Sequence, residues 1–463
     1  MDFLFPGSCF FEEEKMYAAG IDLGTTTISG VVIDLEKREL KKAYTTESKS
    51  FIKTEYDWEK IQDPEIILAK AQKLLDQMFE EYKEIQVIGL TGQMHGILYL
   101  NKKGEHISPL YTWQDGRGEE KCFSGKSICE GLKEDFGIHA CTGYGLVTHL
   151  YHVKKGLVPR EAAGICTIMD YLGMRLTTRR TPRMHSSNGA SLGLYDVETA
   201  SFQEAVLKEN GCNVEILPEL TENVEEIGSY RGARVCVALG DNQASFLGAV
   251  EDSERSVLVN MGTGGQISVL TDTWRNLPGI EFRPFSQGKY LAVGSSLCGG
   301  RAYAVLKDFF AEYAEAMGIP GVDHYAVMDK LLEQDQKRKE PLLVSPTFSG
   351  TREEPWKRGS ITNICVDNFT PGTLIYGVLD GMAEELFAMY QAMEGSLSHH
   401  KDLLVASGNG LRRNKGLQRI MREKFSMKMI LAKYEEEAAY GAAKAAALWL
   451  KNSSLNSQKG VKE

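Results

Sequence analysis

The hydrophobic and polar positions of the chain follow the same order twice. In the first half, residues 17–23 and 27–35 are apolar, β-rich runs separated by a turn of small residues, which predicts a β-hairpin. Apolar residues then recur at helical spacing after Asp63, which predicts a helix capped at that residue. This helix leads into residues 86–93, whose short apolar run and closing glycine turn are typical of a buried parallel strand.

The second half repeats this pattern. Residues 256–271 again predict a strand, a Gly-Thr-Gly turn and a strand, and a long helix is expected to begin after Thr370. That helix runs into residues 402–410, which correspond to residues 86–93 of the first half. The pattern therefore predicts a duplicated α/β unit, split near residues 246–254, with a cleft between its two copies.

The turns of the two halves match residue by residue. Tight glycine turns let a backbone approach a phosphate group closely, and threonine hydroxyl groups add donors. D-x-G-T alone is common turn composition, but its counterpart at the matching place predicts two facing phosphate-binding loops. The matched stretches are Asp22-x-Gly24-Thr25-Thr26 with Asn260-x-Gly262-Thr263-Gly264, and Thr91-Gly92-Gln93 with Ser407-Gly408-Asn409.

Two aspartates follow predicted strands. Asp22 lies at the end of the first strand, and Asp241 follows the apolar run of residues 235–239. Beside a phosphate group, the natural task of Asp22 is to hold Mg²⁺, directly or through water, because this ion prefers oxygen ligands. A second carboxylate can take a proton from an attacking hydroxyl group. We expect the two carboxyl groups to face one another across one groove, although Asp241 can also cap the helix that follows it.

Two further motifs are dense in groups that bind polyols. Amide, imidazole, carboxylate and guanidinium groups offer paired donors and acceptors, and an indole offers an apolar face for a sugar. A lone histidine is more often structural, but His95 lies among glycines at a strand end. Asp170 and residues 187–191 are expected in the same wall, although both could be ordinary turn material. The two motifs are Gly92-Gln93-Met94-His95-Gly96 and Trp113-Gln114-Asp115-Gly116-Arg117.

The stretch Ser407-Gly408-Asn409-Gly410 is typical of a nucleotide loop, because its glycines leave room for a flat base or a ribose. It does not match the dinucleotide pattern G-x-G-x-x-G, since position 413 is arginine. The P-loop pattern G-x-x-x-x-G-K-[ST] occurs nowhere in the chain, which excludes a Walker-type ATPase.

Composition narrows the class further. The chain has 463 residues, more than one hydrophobic core usually organises. Its 53 basic and 63 acidic side chains give a net charge of −10, which argues against a nucleic-acid surface. No apolar run approaches the roughly 20 residues that span a bilayer. Nine cysteines without a C-x-x-C pair favour a reducing, cytoplasmic setting.

The two ends of the chain carry weaker patterns. Residues 1–15 follow no clear pattern and lack the basic region of a signal peptide, and Met16 could be the natural start. The polar tail after Trp449 is expected to fray.

Together, the D-x-G-T-T, M-G-T-G, G-Q-M-H-G, G-D-N-Q-A and S-G-N-G motifs resemble the FGGY carbohydrate kinases, in the expected order over nearly the whole chain. The resemblance implies an α/β fold of two actin/hexokinase-like (ribonuclease H-like) ATPase domains. These would comprise residues 16–250 and 251–452, with a catalytic cleft between them where ATP and the sugar meet.

The resemblance also implies a role for each motif. Asp241 would be the general base, and Asp22 the carboxylate associated with Mg²⁺. One departure is Asn260, where family members often have a small residue. The implied phosphate and ATP contacts are Gly24, Thr25, Thr26, Gly262, Thr263, Gly264, Gly408, Asn409, Gly410 and Asn414. The implied sugar contacts are Gln93, Met94, His95, Trp113, Asp115, Arg117, Asp170 and Asn242.

Within the family, the motif set is most similar to the sedoheptulose kinases. This implies transfer of a phosphoryl group from ATP to a terminal primary hydroxyl group of a ketose, with D-xylulose or another pentulose as the alternative substrate. An actin/Hsp70-like regulatory ATPase is the rival class, but such a protein has no reason to carry a polyol wall. A regulator without catalysis is disfavoured by the presence of both aspartates. We expect a cytoplasmic enzyme without nucleic-acid or membrane partners, and a homodimer is left open.

Overall fold

The computed structural model describes residues 15–121, 123–334, 340–351, 354 and 356–459. These residues pack as two units, each with its own mixed sheet. Among the described residues, the first unit contains 15–193, 205–244 and 438–459, and the second contains 194–204 and 245–437. The domain ranges expected from the sequence, 16–250 and 251–452, stay a prediction, because the packing units interleave along the chain.

The strands are numbered in chain order. They are β1 (Tyr17–Leu23), β2 (Thr27–Asp34), β3 (Leu40–Glu47), β4 (Ile61–Gln62), β5 (Ile85–Gly92), β6 (Leu98–Leu100), β7 (Leu110–Tyr111), β8 (Gly164–Cys166), β9 (Arg183–His185), β10 (Tyr195–Asp196), β11 (Ser201–Phe202), β12 (Glu219–Thr221), β13 (Glu226–Tyr230), β14 (Ala233–Cys236), β15 (Leu239–Gly240), β16 (Ser256–Met261), β17 (Gly265–Thr271), β18 (Ile280–Pro284), β19 (Tyr290–Ser296), β20 (Leu343–Ser345), β21 (Ser360–Thr362), β22 (Leu403–Ser407) and β23 (Lys428–Leu431).

The α-helices are numbered in the same way. They are α1 (Pro64–Glu81), α2 (Ile128–Phe136), α3 (Gly145–Lys155), α4 (Ile168–Thr177), α5 (Ser186–Ser191), α6 (Glu204–Glu209), α7 (Asp241–Ala249), α8 (Gly300–Ala316), α9 (His324–Gln334), α10 (Pro371–Glu394), α11 (Asn409–Arg413), α12 (Lys415–Phe425) and α13 (Glu437–Lys459). Among the described residues, no helix has an apolar stretch long enough to cross a membrane.

The sheet of the first unit has the strand order β13-β14-β5-β1-β2-β3, and β15 also pairs with β5. The predicted hairpin is confirmed, since β1 and β2 pair antiparallel, and β5 is the predicted parallel strand beside β1. The apolar run of residues 235–239 forms two strands rather than one. The backbone leaves the sheet between β14 and β15, where the Ala238 carbonyl oxygen accepts a hydrogen bond from the Asn188 side chain at 2.9 Å.

Helices cover both faces of this sheet. Asp63 caps α1 through its side chain, as predicted, and Met78 of α1 packs against Gly30. On the opposite face, α13 approaches Gly20 and Gly89 so closely that a Cβ atom at either would lie 2.0 Å from a carbonyl oxygen of the helix. The small residues of α13 allow this approach, so the alanine run is part of the core.

The second unit repeats the arrangement. Its sheet has the order β18-β19-β17-β16-β22-β23, in which β16 is antiparallel to β17 and parallel to β22. The helix predicted after Thr370 is α10, and a capping box at Thr370 fixes its start. Its apolar stripe packs into the core cluster that also contains α8, α9 and α12. The predicted duplication of hairpin, long helix and parallel strand is therefore confirmed.

The expected fraying of the tail is wrong within the described residues. Helix α13 continues to Lys459, because residues 451–459 contain neither glycine nor proline to end it. Residues 460–463 lie outside the described residues, as do residues 1–14 of the segment without a clear pattern.

Candidate active site

Both predicted catalytic aspartates lie at one edge of the first unit's sheet. Asp22 of β1 pairs with Thr91 of β5, and Gly240, which immediately precedes Asp241, pairs with Gly92 of β5. Since β5 lies between β1 and β15, two strand spacings separate the two aspartate backbones, or roughly 10 Å. Both aspartates are partly exposed. The two carboxylates thus belong to the same unit and to the same edge of its sheet.

The position of Asp241 is fixed from several sides. The Asn242 side-chain amide donates to Asp241 Oδ1 at 2.8 Å. One residue earlier, the Gly240 backbone N–H donates to Ser187 Oγ at 3.0 Å, and Ser187 in turn contacts the buried ring of His185 at 2.8 Å. Residues 187–191 therefore support the strand that presents Asp241, a role that the sequence did not reveal. Asn242, predicted to bind sugar, here holds the carboxylate beside it.

Met94 and His95 extend the same edge. The Met94 side chain is buried against Gly240, where an added Cβ would lie 2.7 Å from Met94 Cε. His95 has a φ of 74°, an uncommon conformation for a residue with a side chain. Its Nδ1 lies 2.7 Å from the Ser191 carbonyl oxygen, which can only accept, so Nδ1 donates. The His95 ring is held further by stacking on Tyr144 at 4.8 Å.

The first phosphate loop and the sugar wall are joined by side chains. Thr25 Oγ1 donates to Gln93 Oε1 at 3.2 Å and accepts from Trp113 Nε1 at 2.9 Å. A residue that the sequence did not single out, Gln62, contacts both Thr25 and Gln93. Thr26 is the exposed threonine of this loop. The Thr25 hydroxyl group therefore connects the predicted phosphate and sugar motifs within one unit.

Asp115 and Arg117 form a buried ion pair. Asp115 is fully buried, and its two oxygens accept from Arg117 Nε at 2.6 Å and Nη2 at 3.0 Å. The Lys60 backbone N–H also donates to Asp115, at 3.0 Å. The Arg117 guanidinium lies over the Tyr111 ring at 4.4 Å and contacts His152. In this arrangement the pair holds the segment that carries Trp113, and its predicted contact with sugar stays a prediction.

Asp170 lies inside helix α4 rather than on an open surface. Its side chain is 3% exposed, and one oxygen accepts from Thr167 Oγ1 at 2.6 Å. The other oxygen has no hydrogen-bond partner among the described residues. Burial raises the pKa of Asp170 to about 7. Its predicted contact with sugar stays a prediction, and the buried position gives it no support.

In the second unit, the Gly-Thr-Gly turn meets the start of a long helix. The Gly300 N–H donates to the Gly262 carbonyl oxygen and the Arg301 N–H to that of Thr263, both at 3.0 Å. An added Cβ on Gly264 would lie 2.7 Å from the Ser296 carbonyl oxygen, so the turn requires its last glycine. Gly262 and Thr263 are exposed at the positive end of α8. This arrangement suits an anion such as a phosphate group.

The S-G-N-G motif lies beside that turn. Gly408 has a φ of 80°, and a Cβ there would lie 2.6 Å from Asn260 Oδ1, so Asn260 packs against the glycine backbone. Asn409 begins α11 directly after Gly408. Asn414 uses its side chain to cap α12, with Oδ1 accepting from the Leu417 N–H at 2.8 Å. Its predicted contact with adenosine stays a prediction beside this observed capping role.

A buried carboxylate supports the same motif. Both oxygens of Glu437 lie 2.6 Å from Ser407 Oγ, and one accepts from Arg412 Nη2 at 3.3 Å. Arg412 also donates to the carbonyl oxygens of Ala432 and Tyr434 at 2.8 Å. Burial raises the pKa of Glu437. Glu437 was not singled out in the sequence, because it lies in a charged stretch that is typical of an ordinary helix start.

Comparison with known proteins agrees with this arrangement. Residues 17–258 match the N-terminal domain of the FGGY family of carbohydrate kinases, and residues 257–450 match the C-terminal domain. Mouse sedoheptulokinase is 26% identical, over 92% of this chain and 96% of its own. A xylulose kinase of Lactococcus lactis is 24% identical, over 93% and 87%. A glycerol kinase structure from Plasmodium falciparum, solved with ADP, superimposes with a TM-score of 0.76 at 18% identity, covering 94% of this chain and 90% of its own.

The two-unit α/β fold and the paired glycine turns are therefore those of a sugar kinase. The chain belongs to the FGGY family of carbohydrate kinases, which confirms the predicted family and enzyme class.

Proposed function

We propose that the protein transfers the γ-phosphoryl group of ATP to a terminal primary hydroxyl group of a ketose, with sedoheptulose as the first candidate. The observation that carries this proposal is the pair of partly exposed carboxylates at one sheet edge, Asp22 and Asp241. The names of its relatives support a sugar acceptor, and the resemblance to a sedoheptulokinase extends over nearly both chains.

Asp241 acts as the general base in this proposal. A carboxylate can accept the proton of the attacking hydroxyl group, whose oxygen then forms a bond to phosphorus while ADP leaves. Asn242 and the Ser187–Gly240 contact hold that carboxylate in place. Because phosphoryl transfer depends mainly on positioning and charge stabilisation, this rigid support is part of the chemistry.

The residues present also fit Mg²⁺. Among the described residues, no group of three or more His, Cys, Asp or Glu side chains forms a metal cage. Mg²⁺ rarely needs such a cage, since one or two carboxylates, phosphate oxygens and water complete its coordination. Asp22, at the strand end before the first phosphate loop, would hold the ion, which supplies positive charge beside the transferring phosphate.

The adenosine part of the nucleotide is assigned to the second unit. Thr263 and Gly264 lie beside the start of α8, where their backbone N–H groups and the helix dipole suit phosphate, whereas the Gly262 N–H already donates to the Gly264 carbonyl oxygen at 3.0 Å. Gly408 and Gly410 let the S-G-N-G loop pack against β16, since an added Cβ would lie 2.5 Å and 2.7 Å, respectively, from the Met261 carbonyl oxygen. We assign these two glycines and Asn409 to the adenosine side of the nucleotide. A glycerol kinase of the same fold was solved with ADP, which supports a nucleotide in this family.

Coupled ADP release, measured side by side with sedoheptulose, D-xylulose, D-ribulose, L-rhamnulose, D-gluconate and glycerol, tests this function. The highest kcat/KM is expected with sedoheptulose. A higher value with D-xylulose would move the assignment to a pentulose kinase, which a relative of 24% identity supports as the second candidate. ATP turnover indifferent to every compound would contradict the proposal.

A further inference from the structure

Three residues of the first unit form a closed ring of hydrogen bonds at the candidate site, through their side chains and one backbone carbonyl group. Thr25 Oγ1 donates to Gln93 Oε1 at 3.2 Å, and Gln93 Nε2 donates to Gln62 Oε1 at 2.8 Å. Gln62 Nε2 then donates to the Thr25 carbonyl oxygen at 2.8 Å and closes the ring. Gln62 is fully buried and Gln93 nearly so.

The ring has only one consistent direction. Each amide uses its oxygen to accept from one neighbour and its nitrogen to donate to the next. Turning the Gln62 amide over would set its oxygen against the Thr25 carbonyl oxygen and its nitrogen against the Gln93 nitrogen. Because neither contact can form a hydrogen bond, the ring fixes both amide orientations.

Gln62 is itself held by rigid elements. It pairs with Leu110 between β4 and β7, and it forms a bridge with Phe51. The next residue, Asp63, caps α1 by accepting from the Glu65 N–H at 2.9 Å, so the backbone on both sides of the Gln62 side chain is fixed. The Gln62 side chain therefore reaches Thr25 and Gln93 from a backbone that is held on both sides.

Trp113 connects the ring to the sugar wall. Its indole N–H donates to Thr25 Oγ1 at 2.9 Å while the side chain remains 47% exposed. The Thr25 hydroxyl group already gives its proton to Gln93, so it accepts from Trp113 with an oxygen lone pair. A ligand against the indole and a phosphate against the loop thus act on the same hydroxyl group.

We propose that Gln62 is a positioning residue that couples the phosphate loop to the sugar wall, so that sugar and nucleotide tighten each other's binding. Gln62 contacts neither ligand in this proposal and acts only through Thr25 and Gln93. The inference rests on the proposed function, since it assigns the loop to phosphate and the wall to sugar.

Isothermal titration calorimetry measures this coupling. The Kd of the non-hydrolysable analogue AMP-PNP is determined in the presence of Mg²⁺, with and without saturating ketose. The ketose is the best substrate of the panel above. In the wild type, the ketose is expected to lower the Kd of AMP-PNP about five-fold or more. In Gln62→Met, which keeps the length of the side chain without its polar groups, the ratio is expected to fall to within about two-fold of unity.

Two further variants make the result specific. Gln62→Glu keeps the acceptor for Gln93 but loses the donor to Thr25, so its coupling should lie between those of the wild type and Gln62→Met. Gln86→Met is the matched control, because Gln86 lies at the opposite end of β5 and should leave the coupling unchanged. Wild-type coupling in Gln62→Met, or its absence in the wild type, would overturn the proposal.

A second readout separates this inference from the proposed function. The Trp113 indole ¹H–¹⁵N resonance, one of five in the chain and assigned with Trp113→Phe, reports the ring without any ligand. It should shift in Gln62→Met and stay in place in Gln86→Met. If the enzyme is inactive on every sugar but the Trp113 resonance still shifts in Gln62→Met, the proposed function is refuted and the hydrogen-bonded ring is supported. If the enzyme is active but the Trp113 resonance does not shift in Gln62→Met, the hydrogen-bonded ring is refuted.

Discussion

The two units repeat one backbone pattern and differ in the chemistry at the equivalent strand ends. In the first unit Asp22 pairs with Thr91, and in the second Asn260 pairs with Ser407 at the matching place in the sheet. The duplicated topology therefore presents a carboxylate in one copy and a neutral amide in the other. This difference suits a first unit that organises metal and proton transfer and a second unit that accommodates a polyanion without repelling it.

The side chains that hold the two loops also differ in charge, in the opposite direction to the strand ends. The loop with the carboxylate is held by a neutral amide, Gln62, whereas the loop without one is held by a buried carboxylate, Glu437. The charged strand end is therefore held by a neutral side chain, and the neutral strand end by a charged one. Arg412 balances the charge of Glu437, so the second loop gains an anchor that carries no net charge.

Replacing Asp241 tests the chemical half of this comparison most strongly. Asp241→Asn keeps the shape of the side chain but removes the proton acceptor, so kcat should fall roughly 10²–10⁴-fold. The Kd of ATP should stay nearly unchanged, because the nucleotide is assigned elsewhere. Steady-state kinetics and nucleotide titration measure both. Asp252→Asn, the same change at an exposed position, is the control. Turnover close to normal in Asp241→Asn would remove the assignment of the general base.

Removing the anchor of the second loop should affect nucleotide binding instead. Glu437→Ala leaves Ser407 and Arg412 without their buried partner, and hydrogen bonds to charged groups contribute about 1.5–3 kcal/mol each. KM for ATP is therefore expected to rise about ten-fold or more, with a smaller change in kcat and in KM for sugar. Glu437→Gln, which can still accept from Ser407, should recover part of the loss.

Glu435→Gln is the matched control for this experiment, because Glu435 is exposed two residues earlier. A variant Glu437→Ala with an unchanged KM for ATP, or one in which KM for sugar rises as much, would show that the second loop does not depend on this carboxylate. The difference between Gln62 in the first unit and Glu437 in the second would then have no effect on nucleotide binding.

The sequence predicted those parts of the fold that depend on local signals. The caps at Asp63 and Thr370 and the alternation around the two glycine turns each involve residues only a few positions apart, so the pattern alone was sufficient. The strand-end positions of Asp22 and Asp241 followed from the same patterns.

The supporting residues could not be predicted in this way. Gln62 and its partner Gln93 are 31 positions apart, and Glu437 and Ser407 are 30 apart, so only the tertiary fold brings each pair together. The ion pair of Asp115 was also not predicted, although its partner is only two positions away, and the predicted contact of Asp115 with sugar stays a prediction. Composition identified groups able to bind a polyol, but it could not show that Asp115 is already enclosed by Arg117.

Acid should destabilise the protein through buried histidines of the first unit. Burial lowers the pKa of His149 to about 4, of His152 to about 3 and of His185 to about 4. The unfolded chain binds protons at these residues near pH 6.5, so the free energy of unfolding falls as pH decreases from 6.5 toward 4. Asp170, with its pKa raised to about 7, acts in the opposite sense because its contribution is lost as pH rises from about 4 to 7.

Urea unfolding at pH 7 and pH 5 measures this dependence. Three histidines against one aspartate leave a net uptake of about two protons on unfolding, at about 1.4 kcal/mol per proton and pH unit. The double variant His149→Gln/His152→Gln should lose most of the slope. Equal slopes in the variant and the wild type would show that His149 and His152 do not cause the loss of stability in acid.

The smallest expected effect distinguishes two roles of Asn414 in the second unit. Its side chain caps α12 through the Leu417 N–H, and losing such a cap destabilises a protein by about 1 kcal/mol. Asn414→Asp keeps the cap, since aspartate is equally favoured there, but removes the amide that an adenine contact would use. Asn414→Ala removes both.

If capping is the whole role of Asn414, Asn414→Asp should retain the wild-type melting temperature and KM for ATP, while Asn414→Ala lowers only the melting temperature. If the amide also contacts adenosine, KM for ATP should rise in both variants. The first result would indicate that Asn414 makes no side-chain contact with the nucleotide, which would then meet the S-G-N-G loop through its backbone groups. The second result would indicate that the second unit binds the nucleotide through a side chain as well. The two units would then differ less, because both would use side chains to contact a ligand.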